Sequence, residues 1–520
     1  MKRTLPPLFL SALLCTSCAK TQTAPASFLP VAAVAVPATP QLAAVAETAD
    51  AGPYSPSKAP GAIHLEAENG TLTGNTVLTK RPGFSGSGYA GDFQPDGAKV
   101  VWTIPRAKAG LYAVKIRYSS PAGEKGYDLT VNGKTSSNMF SGTGDKFATA
   151  DGGKVELAPG PNTLAIGRGW GYYDIDALDL VPTEPDPRLP KPSAVPVDPQ
   201  ATPQARTLLR TLVGFYGAKT LSGQINEADT QYLQSVTGKT PAIMGGDLIE
   251  YSPSRLLHGS DPHGETERLI RDAKAGQIIT LLWHWNAPTD LVDNKALVGT
   301  DGKTIDASWY KGFYTNATTF DVQKALADPN SADYKLLLSN IDAIAVQLQK
   351  LSDTGVPVLW RPLHEAQGGW FWWGAKGPGP FKQLWRLMYD RLTNYHHLHN
   401  LIWVYCAGTD PSWYPGDNMV DVVGIDQYPS DPSDPEVGVW ETLAKQHGDK
   451  KLLALTEFGG VPDVAKMARY GVRWSYFVSW QGDLGPHKLS QADLTRIYDS
   501  PLMVNKSNLP ANPALSQSIK

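Results

Sequence analysis

Eight short apolar segments follow one another between residues 220 and 480, and stretches with helical periodicity separate them. Parallel strands need a crossover of a dozen or more residues between them, usually a helix, so this alternation indicates a parallel sheet. Eight βα units in about 300 residues have the count and the size of a TIM barrel. The predicted strands span residues 220–224, 242–247, 278–285, 356–365, 401–407, 420–428, 452–459 and 474–480, within a barrel domain at residues 204–512.

Side chains that can take part in chemistry lie at the C-terminal ends of several predicted strands. They are His284, Glu365, Asp426, Tyr428, Glu457 and Trp480. The C-terminal ends of all eight strands meet on one face of a TIM barrel, where active sites of this fold are built. The sequence therefore predicts that these six side chains surround one cleft.

Two of these side chains are carboxylates on strands that face each other. Glu365 ends the fourth predicted strand and Glu457 lies near the end of the seventh, on roughly opposite sides of the barrel mouth. A single Glu at such a position is better explained as a solvated residue at a loop edge. A facing pair beside His and Trp favours catalysis, because glycoside hydrolysis uses two carboxylates that flank the scissile bond.

Other chemistries find less support. The zinc motif H-E-x-x-H needs a second His one turn after His364, but residue 368 is Gly. The His residues of "YHHLHN", at residues 395–400, lie at a predicted helix end, where imidazole interacts favourably with the helix dipole. No nucleophile elbow and no P-loop occurs in the sequence. The net charge of −3 does not indicate the excess of positive charge that nucleic-acid-binding proteins carry.

Five motifs in this region resemble glycoside hydrolase family 26: "LSGQ" (221–224), "RPLHE" (361–365), "GIDQY" (424–428), "LTEFGG" (455–460) and the closing "IYDSPLMVNKSNLP". The resemblance implies a retaining endo-β-1,4-mannanase that hydrolyses mannan, galactomannan or glucomannan by double displacement without a catalytic cofactor. Mixed-linkage β-glucanase or β-1,3-xylanase activity is the alternative within the same family. A non-catalytic carbohydrate-binding protein is a third hypothesis, and a monomer is expected in each case.

The resemblance also implies roles for individual residues. Glu365 would be the acid/base, with His364 beside it, and Glu457 would be the nucleophile, contacted by Tyr428. The sugar site next to the cleaved bond would be lined by His284, Asp426 and Trp480. Independently of the resemblance, Arg361 lies four residues before Glu365 on the same face of the predicted strand, so it can point into the mouth and pair with Glu457.

Three tryptophans follow the predicted acid/base, at positions 370, 372 and 373. The apolar C–H faces of a pyranose stack on aromatic rings, so these side chains can form a sugar platform beside the cleavage point. At least one of them is expected to pack under the loop instead. We predict that Trp373 contacts sugar, followed by Trp370.

Residues 61–183 show a different pattern. Apolar and polar residues alternate in short segments, such as "KVVWTIPRA" and "GLYAVKIRYSS", and Gly, Pro and Asn-Gly turns separate these segments. This pattern predicts an all-β sandwich of the jelly-roll type. A Pro-rich linker at residues 184–203 joins it to the barrel, and residues 19–60, rich in Ala, Pro and Thr, form a predicted disordered tether.

The predicted sandwich resembles carbohydrate-binding module family 35 in "LEAENG", "GFSGSGY" and "GRGWGYYDIDALDL". The resemblance implies a structural Ca²⁺ held by Glu66, Glu68 and Asp176, whose hard oxygen atoms suit that ion. Solvated acids on an edge strand are the alternative. The resemblance also implies that Trp170 stacks on sugar, together with Tyr172 or Tyr173.

The first 18 residues, "MKRTLPPLFLSALLCTSC", combine two basic residues with a short apolar run, which is typical of a secretory signal peptide. Cys18 follows two small residues and resembles the lipidated cysteine of bacterial lipoproteins, although Cys15 stands where that pattern usually has Leu. The protein is therefore expected to be secreted or lipid-anchored at the bacterial cell surface, on the outer membrane. Cys406 is predicted to be a small buried apolar residue.

Overall fold

The structure, a computed structural model, describes residues 54–121, 123, 125–169, 171–185, 192–299 and 302–510. The predicted signal peptide, most of the tether and Trp170 lie outside the described residues. Within the described ranges, no helix combines the length and the apolar composition needed to cross a bilayer.

The N-terminal module is an antiparallel β-sandwich, as predicted. Its strands are β1 (Ile63–Glu66), β2 (Thr71–Thr73), β3 (Thr76–Leu78), β4 (Tyr89–Gly91), β5 (Lys99–Ala107), β6 (Gly110–Ser119), β7 (Lys125–Val131), β8 (Lys134–Phe140), β9 (Ala148–Leu157), β10 (Gly160–Arg168) and β11 (Asp174–Thr183). One sheet has the order β3-β4-β11-β6-β9, with β1 also paired to β11, and the other has the order β2-β5-β10-β7-β8.

Side-chain alternation explains how these two sheets pack. In β5, Val100, Trp102 and Ile104 point inward and are buried, whereas the alternate positions are more exposed. Between the sheets the rings are stacked: the centroid of Phe140 lies 4.2 Å from that of Tyr118 and 3.9 Å from that of Tyr127. The period-two pattern of the sequence therefore corresponds to one buried face on each sheet.

The C-terminal part forms the predicted closed barrel of eight parallel strands. Its further strands are β12 (Thr220–Leu221), β13 (Gly223–Gln224), β14 (Ile243–Asp247), β15 (Ile278–Leu282), β16 (Asn294–Val298), β17 (Thr304–Ala307), β18 (Val358–Arg361), β19 (Leu401–Tyr405), β20 (Val422–Gln427), β21 (Leu452–Phe458), β22 (Phe477–Ser479) and β23 (Met503–Val504). The barrel order is β13-β14-β15-β18-β19-β20-β21-β22, while β12 pairs with β23 and β16 forms a hairpin with β17.

Helices fill the connections between barrel strands. They are α1 (Pro203–Phe215), α2 (Glu227–Thr237), α3 (Pro253–Leu257), α4 (Glu265–Lys274), α5 (Val322–Ala327), α6 (Ala332–Asp353), α7 (Pro378–Tyr389), α8 (Val437–His447), α9 (Val464–Tyr470) and α10 (Gln491–Tyr498). In α6, the Ser331 hydroxyl caps the first turn by accepting the N–H of Tyr334. Leu337, Ile341 and Leu348 recur on one face and are buried against the barrel.

Two long segments meet above the C-terminal face of the barrel. One follows β15 and contains the β16–β17 hairpin, and the other follows β18 and contains the three tryptophans. The Thr315 N–H donates to the Trp370 carbonyl at 2.8 Å, and the Trp372 N–H donates to the Phe313 carbonyl at 3.2 Å. These backbone hydrogen bonds hold the two segments together beside the predicted acid/base.

Candidate active site

The barrel brings Glu365, Asp426 and Glu457 into one cluster. Each carboxyl group has an oxygen within 4.8 Å of one on each of the other two, and within the described ranges this is the one such group of His, Cys, Asp or Glu. Asp426 and Glu457 lie near the C-terminal ends of β20 and β21, and Glu365 follows the end of β18, so the three lie at the face where the site was predicted. Because Arg361 also reaches into the cluster, a guanidinium already supplies the positive charge that a metal ion would bring.

A tight turn carries Glu365. The predicted strand was expected to continue to residue 365, but β18 ends at Arg361. Pro362 has no N–H to continue the ladder, and Leu363 and Glu365 both adopt left-handed backbone angles, with φ of 52° and 53°. The Glu365 N–H donates to the Cys406 carbonyl at 2.8 Å, which ties the turn to the end of β19. The turn aims the carboxyl group across the mouth towards Glu457.

Both oxygens of Glu457 accept hydrogen bonds from the protein. Arg361 Nη2 donates to Oε2 at 2.8 Å, and the Tyr428 hydroxyl donates to Oε1. Arg361 also donates through Nη1 to Asp426 Oδ2 at 2.5 Å, and the Thr456 hydroxyl donates to Asp426 Oδ1 at 2.8 Å. The pairing of Arg361 and Tyr428 with Glu457 was predicted. Asp426 belongs to the same cluster as both glutamates and holds Arg361, and its expected place in the sugar site stays a prediction.

The electrostatic surroundings distinguish the two glutamates. Burial raises the pKa of Glu365 well above its ordinary value, and Glu457 and Asp426 raise it further. Burial and Asp426 also raise the pKa of Glu457, but Arg361 and the Tyr428 hydroxyl oppose that rise. Since Glu457 has the stronger stabilising partners, it ionises first and Glu365 retains its proton.

A histidine pair supports the turn. His284 contacts Asp247 Oδ2 through Nδ1 at 2.6 Å and His364 Nε2 through Nε2 at 3.2 Å. Burial lowers the pKa of His364 well below its ordinary value, with Arg361 and His284 adding to the effect, so His364 is neutral. His364 is 1% exposed and therefore lies behind the cleft instead of contacting sugar directly. Asp247 was missed, although it ends the second predicted strand.

The tryptophan prediction requires a correction. Trp373 is fully buried, and its Nε1 donates to the His364 carbonyl at 2.8 Å, so it packs beneath the turn and cannot stack on a sugar. Trp372 is also buried and donates to the Trp285 carbonyl. Trp370 is partly exposed, and its Nε1 donates to Glu365 Oε2 at 2.9 Å. Of the three, Trp370 is the one that faces the cleft.

Three further side chains border the cleft. Trp480 is partly exposed, and its ring centroid lies 6.5 Å from that of His284, as expected for the cleft wall. Gln224, within the "LSGQ" motif, donates to the Trp480 carbonyl at 2.8 Å and was not assigned a role from the sequence. Tyr314 is partly exposed, and burial raises its pKa to about 12, with the charges of Glu365 and Glu457 adding to the rise. Nothing in the sequence pattern marked Tyr314.

The predicted calcium ligands of the module surround one turn. The Ser85 N–H donates to Asp176 Oδ1 at 2.9 Å and its hydroxyl donates to Glu66 Oε2 at 2.7 Å, while the Ser87 N–H donates to Glu68 Oε1 at 2.6 Å. Glu68 Oε2 is buried without a hydrogen-bond partner.

Gly86 shows how crowded this turn is. Its φ is +62°, and a Cβ there would lie 2.1 Å from Glu68 Oε1. Glu66, Glu68 and Asp176 surround this turn and one Glu68 oxygen has no partner, which suits a calcium ion, but their oxygens do not all lie within 4.8 Å of one another as those of the active-site cluster do.

The sugar-binding loop of the module is described in part, because Trp170 lies outside the described residues. Tyr172 is 52% exposed and has a φ of 64°. Tyr173 is buried, and its hydroxyl donates to the Gly167 carbonyl at 2.6 Å. Of the two tyrosines considered for sugar contact, Tyr172 is therefore the one available to a ligand.

Comparison with known families gives two matches. The model of glycosyl hydrolase family 26 matches residues 197–508, and the model of carbohydrate-binding module family 35 matches residues 63–183. These two ranges contain the barrel and the sandwich respectively.

Similar proteins share both parts. A mannan endo-1,4-β-mannosidase from Thermothelomyces thermophilus is 41% identical over 419 residues, which cover 81% of this chain and 84% of the relative. The crystal structure of a β-(1,4)-mannanase from Podospora anserina, with a family 26 hydrolase domain and a family 35 module, is 40% identical with a TM-score of 0.63. That match covers 87% of this chain and 99% of the other. A ruminal endo-β-1,4-mannanase structure is 28% identical, also with a TM-score of 0.63. That match covers 88% of this chain and 99% of the ruminal enzyme.

Proposed function

This chain belongs to glycosyl hydrolase family 26, and we propose that it is an endo-β-1,4-mannanase that hydrolyses mannan, galactomannan or glucomannan. The substrate is inferred from relatives named as mannan endo-1,4-β-mannosidases over more than four fifths of this chain. The chemistry is inferred from the cleft itself, where the partly exposed Glu365 and the buried Glu457 face each other beside partly exposed aromatic rings.

The spacing of the two glutamates carries the mechanistic proposal. Oxygens of Glu365 and Glu457 lie within 4.8 Å of each other. Retaining glycosidases hold their carboxyl groups about 5–5.5 Å apart, whereas inverting enzymes need about 6.5–9.5 Å to admit a water molecule. The short separation supports direct attack on the anomeric carbon and net retention of configuration.

Each half of the double displacement uses both glutamates. In the first half, Glu457 attacks the anomeric carbon while Glu365 gives its proton to the departing glycosidic oxygen, and a covalent mannosyl-enzyme forms. In the second half, Glu365 takes a proton from water as the water oxygen attacks the same carbon, and the ester bond to Glu457 breaks. Glu365 is then protonated again for the next cycle.

The surrounding residues orient this pair. Arg361 and Tyr428 fix both oxygens of Glu457, and Asp426 accepts a second hydrogen bond from Arg361. His284, itself oriented by Asp247, lies at the edge of the cleft, where its ring can contact a sugar hydroxyl. Trp480 and Trp370 supply aromatic surface on the two sides.

Substrate preference tests this function. We expect reducing-sugar release from galactomannan to exceed that from lichenan or β-1,3-xylan by at least about tenfold in kcat/KM, since a mispositioned hydroxyl costs on the order of 1.4 kcal/mol or more. NMR of the first product should show the β-anomer. Faster release from lichenan or xylan would move the protein to another specificity of the same family, and an α-anomer as first product would contradict retention.

For the module, we propose that Tyr172, with Trp170, contacts sugar, and that Glu66, Glu68 and Asp176 hold a structural Ca²⁺. Glu66 ends β1, and Asp176 lies in the neighbouring strand β11, so a shared cation would join the first and last strands. The crowded turn at Gly86 and the unpartnered Glu68 oxygen support this assignment.

Chelation tests the calcium proposal. Treatment of the full chain with EDTA should lower the melting temperature of the module by about 5 °C or more, because a ligand bound only to the folded state stabilises it. Glu68→Gln should melt earlier and lose its response to Ca²⁺, whereas the exposed Asp151→Asn on β9 should behave like the wild type. A wild-type melting curve that is identical with and without EDTA would contradict the site.

The remaining proposals concern organisation and location. We place the domain limits at residues 61–183 and 204–512, which is supported by the end of β11 at Thr183 and the start of α1 at Pro203. The leader sequence supports export, and Cys18 supports lipid anchoring at the bacterial cell surface. The protein is proposed to act as a monomer.

A further inference from the structure

The turn after Glu365 contains a glycine whose side-chain space is filled by a tryptophan ring. A Cβ on Gly368 would lie 2.0–2.3 Å from three atoms of the Trp370 indole, far inside van der Waals contact. Gly368 does not have a positive φ, so its backbone conformation is open to other residues. The requirement for glycine at this position is therefore steric, and the group that needs the space is the indole.

Trp370 is held at both its main chain and its side chain. Its carbonyl accepts the Thr315 N–H at 2.8 Å, which fixes the loop, and its Nε1 donates to Glu365 Oε2 at 2.9 Å. The ring of Phe371 stands nearly perpendicular to the indole, at an interplanar angle of 75°. With the indole so confined, any group that displaces it also breaks the hydrogen bond to Glu365.

We propose that Gly368 and Trp370 form a positioning pair for the acid/base, in which the missing Cβ of Gly368 lets the indole lie against the turn and donate its N–H to Glu365. This inference rests on the proposed function, because it assigns Glu365 as the acid/base. Trp370 then does more than offer an aromatic face to a sugar. It fixes one oxygen of Glu365 and leaves the other free for the glycosidic oxygen.

The hydrogen bond has a defined electrostatic consequence. An N–H donor stabilises the ionised carboxylate, so the Trp370 indole lowers the pKa of Glu365 against the upward effects of burial and neighbouring acids. Without the indole N–H, the pKa of Glu365 should rise, and protonated Glu365 should persist to higher pH. The charged and titratable groups that face Glu365 are Arg361, Asp426, Glu457, Tyr428, Tyr314 and Cys406.

The pH profile of kcat/KM tests the pair, measured on mannohexaose, whose departing sugar oxygen must be protonated, with wild type, Trp370→Phe, Gly368→Ala and Gly379→Ala. Trp370→Phe keeps an aromatic face but has no N–H. Gly368→Ala keeps the indole but displaces it. Gly379→Ala is the matched control, since its Cβ would meet no atom within 4 Å. We expect the basic limb to move upward by about half a pH unit or more in the first two variants.

The pH profile of the control Gly379→Ala should coincide with that of the wild type. KM should rise in Gly368→Ala, where the aromatic platform is displaced, and change by less than about threefold in Trp370→Phe. A basic limb in Trp370→Phe that coincides with that of the wild type overturns the inference, even where kcat has fallen. If Gly368→Ala does not fold, Trp370→Phe decides alone. A wild type that does not cleave mannohexaose would instead contradict the proposed function.

Discussion

Replacement of Glu457 by Ala should lower kcat on mannan by about 10⁴-fold or more, because the covalent half of the reaction is removed. The loss should be the same for polysaccharide and for aryl mannobiosides, since both need the same nucleophile. Arg361 keeps Asp426 as its partner in this variant, so the barrel should still fold. Melting temperature and circular dichroism check this point before the rates are compared.

Azide offers a positive test of the same assignment. In Glu457→Ala, azide can enter the vacated space and attack an aryl β-mannobioside directly, which gives an α-configured mannobiosyl azide. Glu267→Gln is a matched control, because this Glu is an exposed acid on α4, far in sequence from the cluster, and should retain wild-type rates. Residual activity within tenfold of the wild type, or azide rescue that yields the β-azide, would contradict the nucleophile assignment.

The parts of the fold that could be predicted are those set by short-range patterns. Parallel barrel strands are covered on both sides, so they appear as apolar runs such as residues 452–455, all of which are buried. Sandwich strands bury one face, so they alternate, as β5 does. The ends of the barrel strands all meet at one face, and for this reason Glu457, Tyr428 and Trp480 could be assigned to one cleft from the sequence.

The parts that could not be predicted depend on contacts between distant segments. Three tryptophans within four residues carry no periodicity that indicates which ring points outward, and the backbone contacts with residues 313–315 decide it. The turn at Leu363 breaks the strand before Glu365, although Pro362 gave a signal for it. Tyr314, whose pKa is raised by the charges of both glutamates, comes from a segment that the sequence marked as neither strand nor helix.

Buried polar partners were also under-predicted. The resemblance implied a place for Asp426 in the sugar site, but the sequence did not indicate that its oxygens bond to Arg361 and Thr456. A strand-end position shows that a side chain lies near the cleft, but it does not show which side of the backbone it faces after a bulge. Between β20 and β21 the register shifts, because Ile425 pairs with Leu455 and Asp426 pairs with Glu457, so Thr456 is the extra residue of a bulge in β21.

The effect of Glu365→Ala should depend on the leaving group. On mannan, where the departing sugar oxygen must be protonated, kcat/KM should fall by about 10³-fold, within the range that general acid catalysis contributes. On an aryl β-mannobioside whose phenolate leaves without help, the first half of the reaction should proceed at close to the wild-type rate. The second half still needs a base, so the mannosyl-enzyme should accumulate and appear as a burst of phenol with a lowered KM.

The pH dependence and the product of azide rescue complete the assignment. Glu365 must be protonated for the first half, and burial together with Glu457 and Asp426 raises its pKa, so activity should persist above the ordinary range of a carboxyl group and be lost as Glu365 ionises. That basic limb should disappear in Glu365→Ala. Azide should attack the mannosyl-enzyme from the open side and give the β-azide, opposite to the product from Glu457→Ala. Equal losses on both substrates, with the basic limb still present, would assign the acid/base role to a different residue.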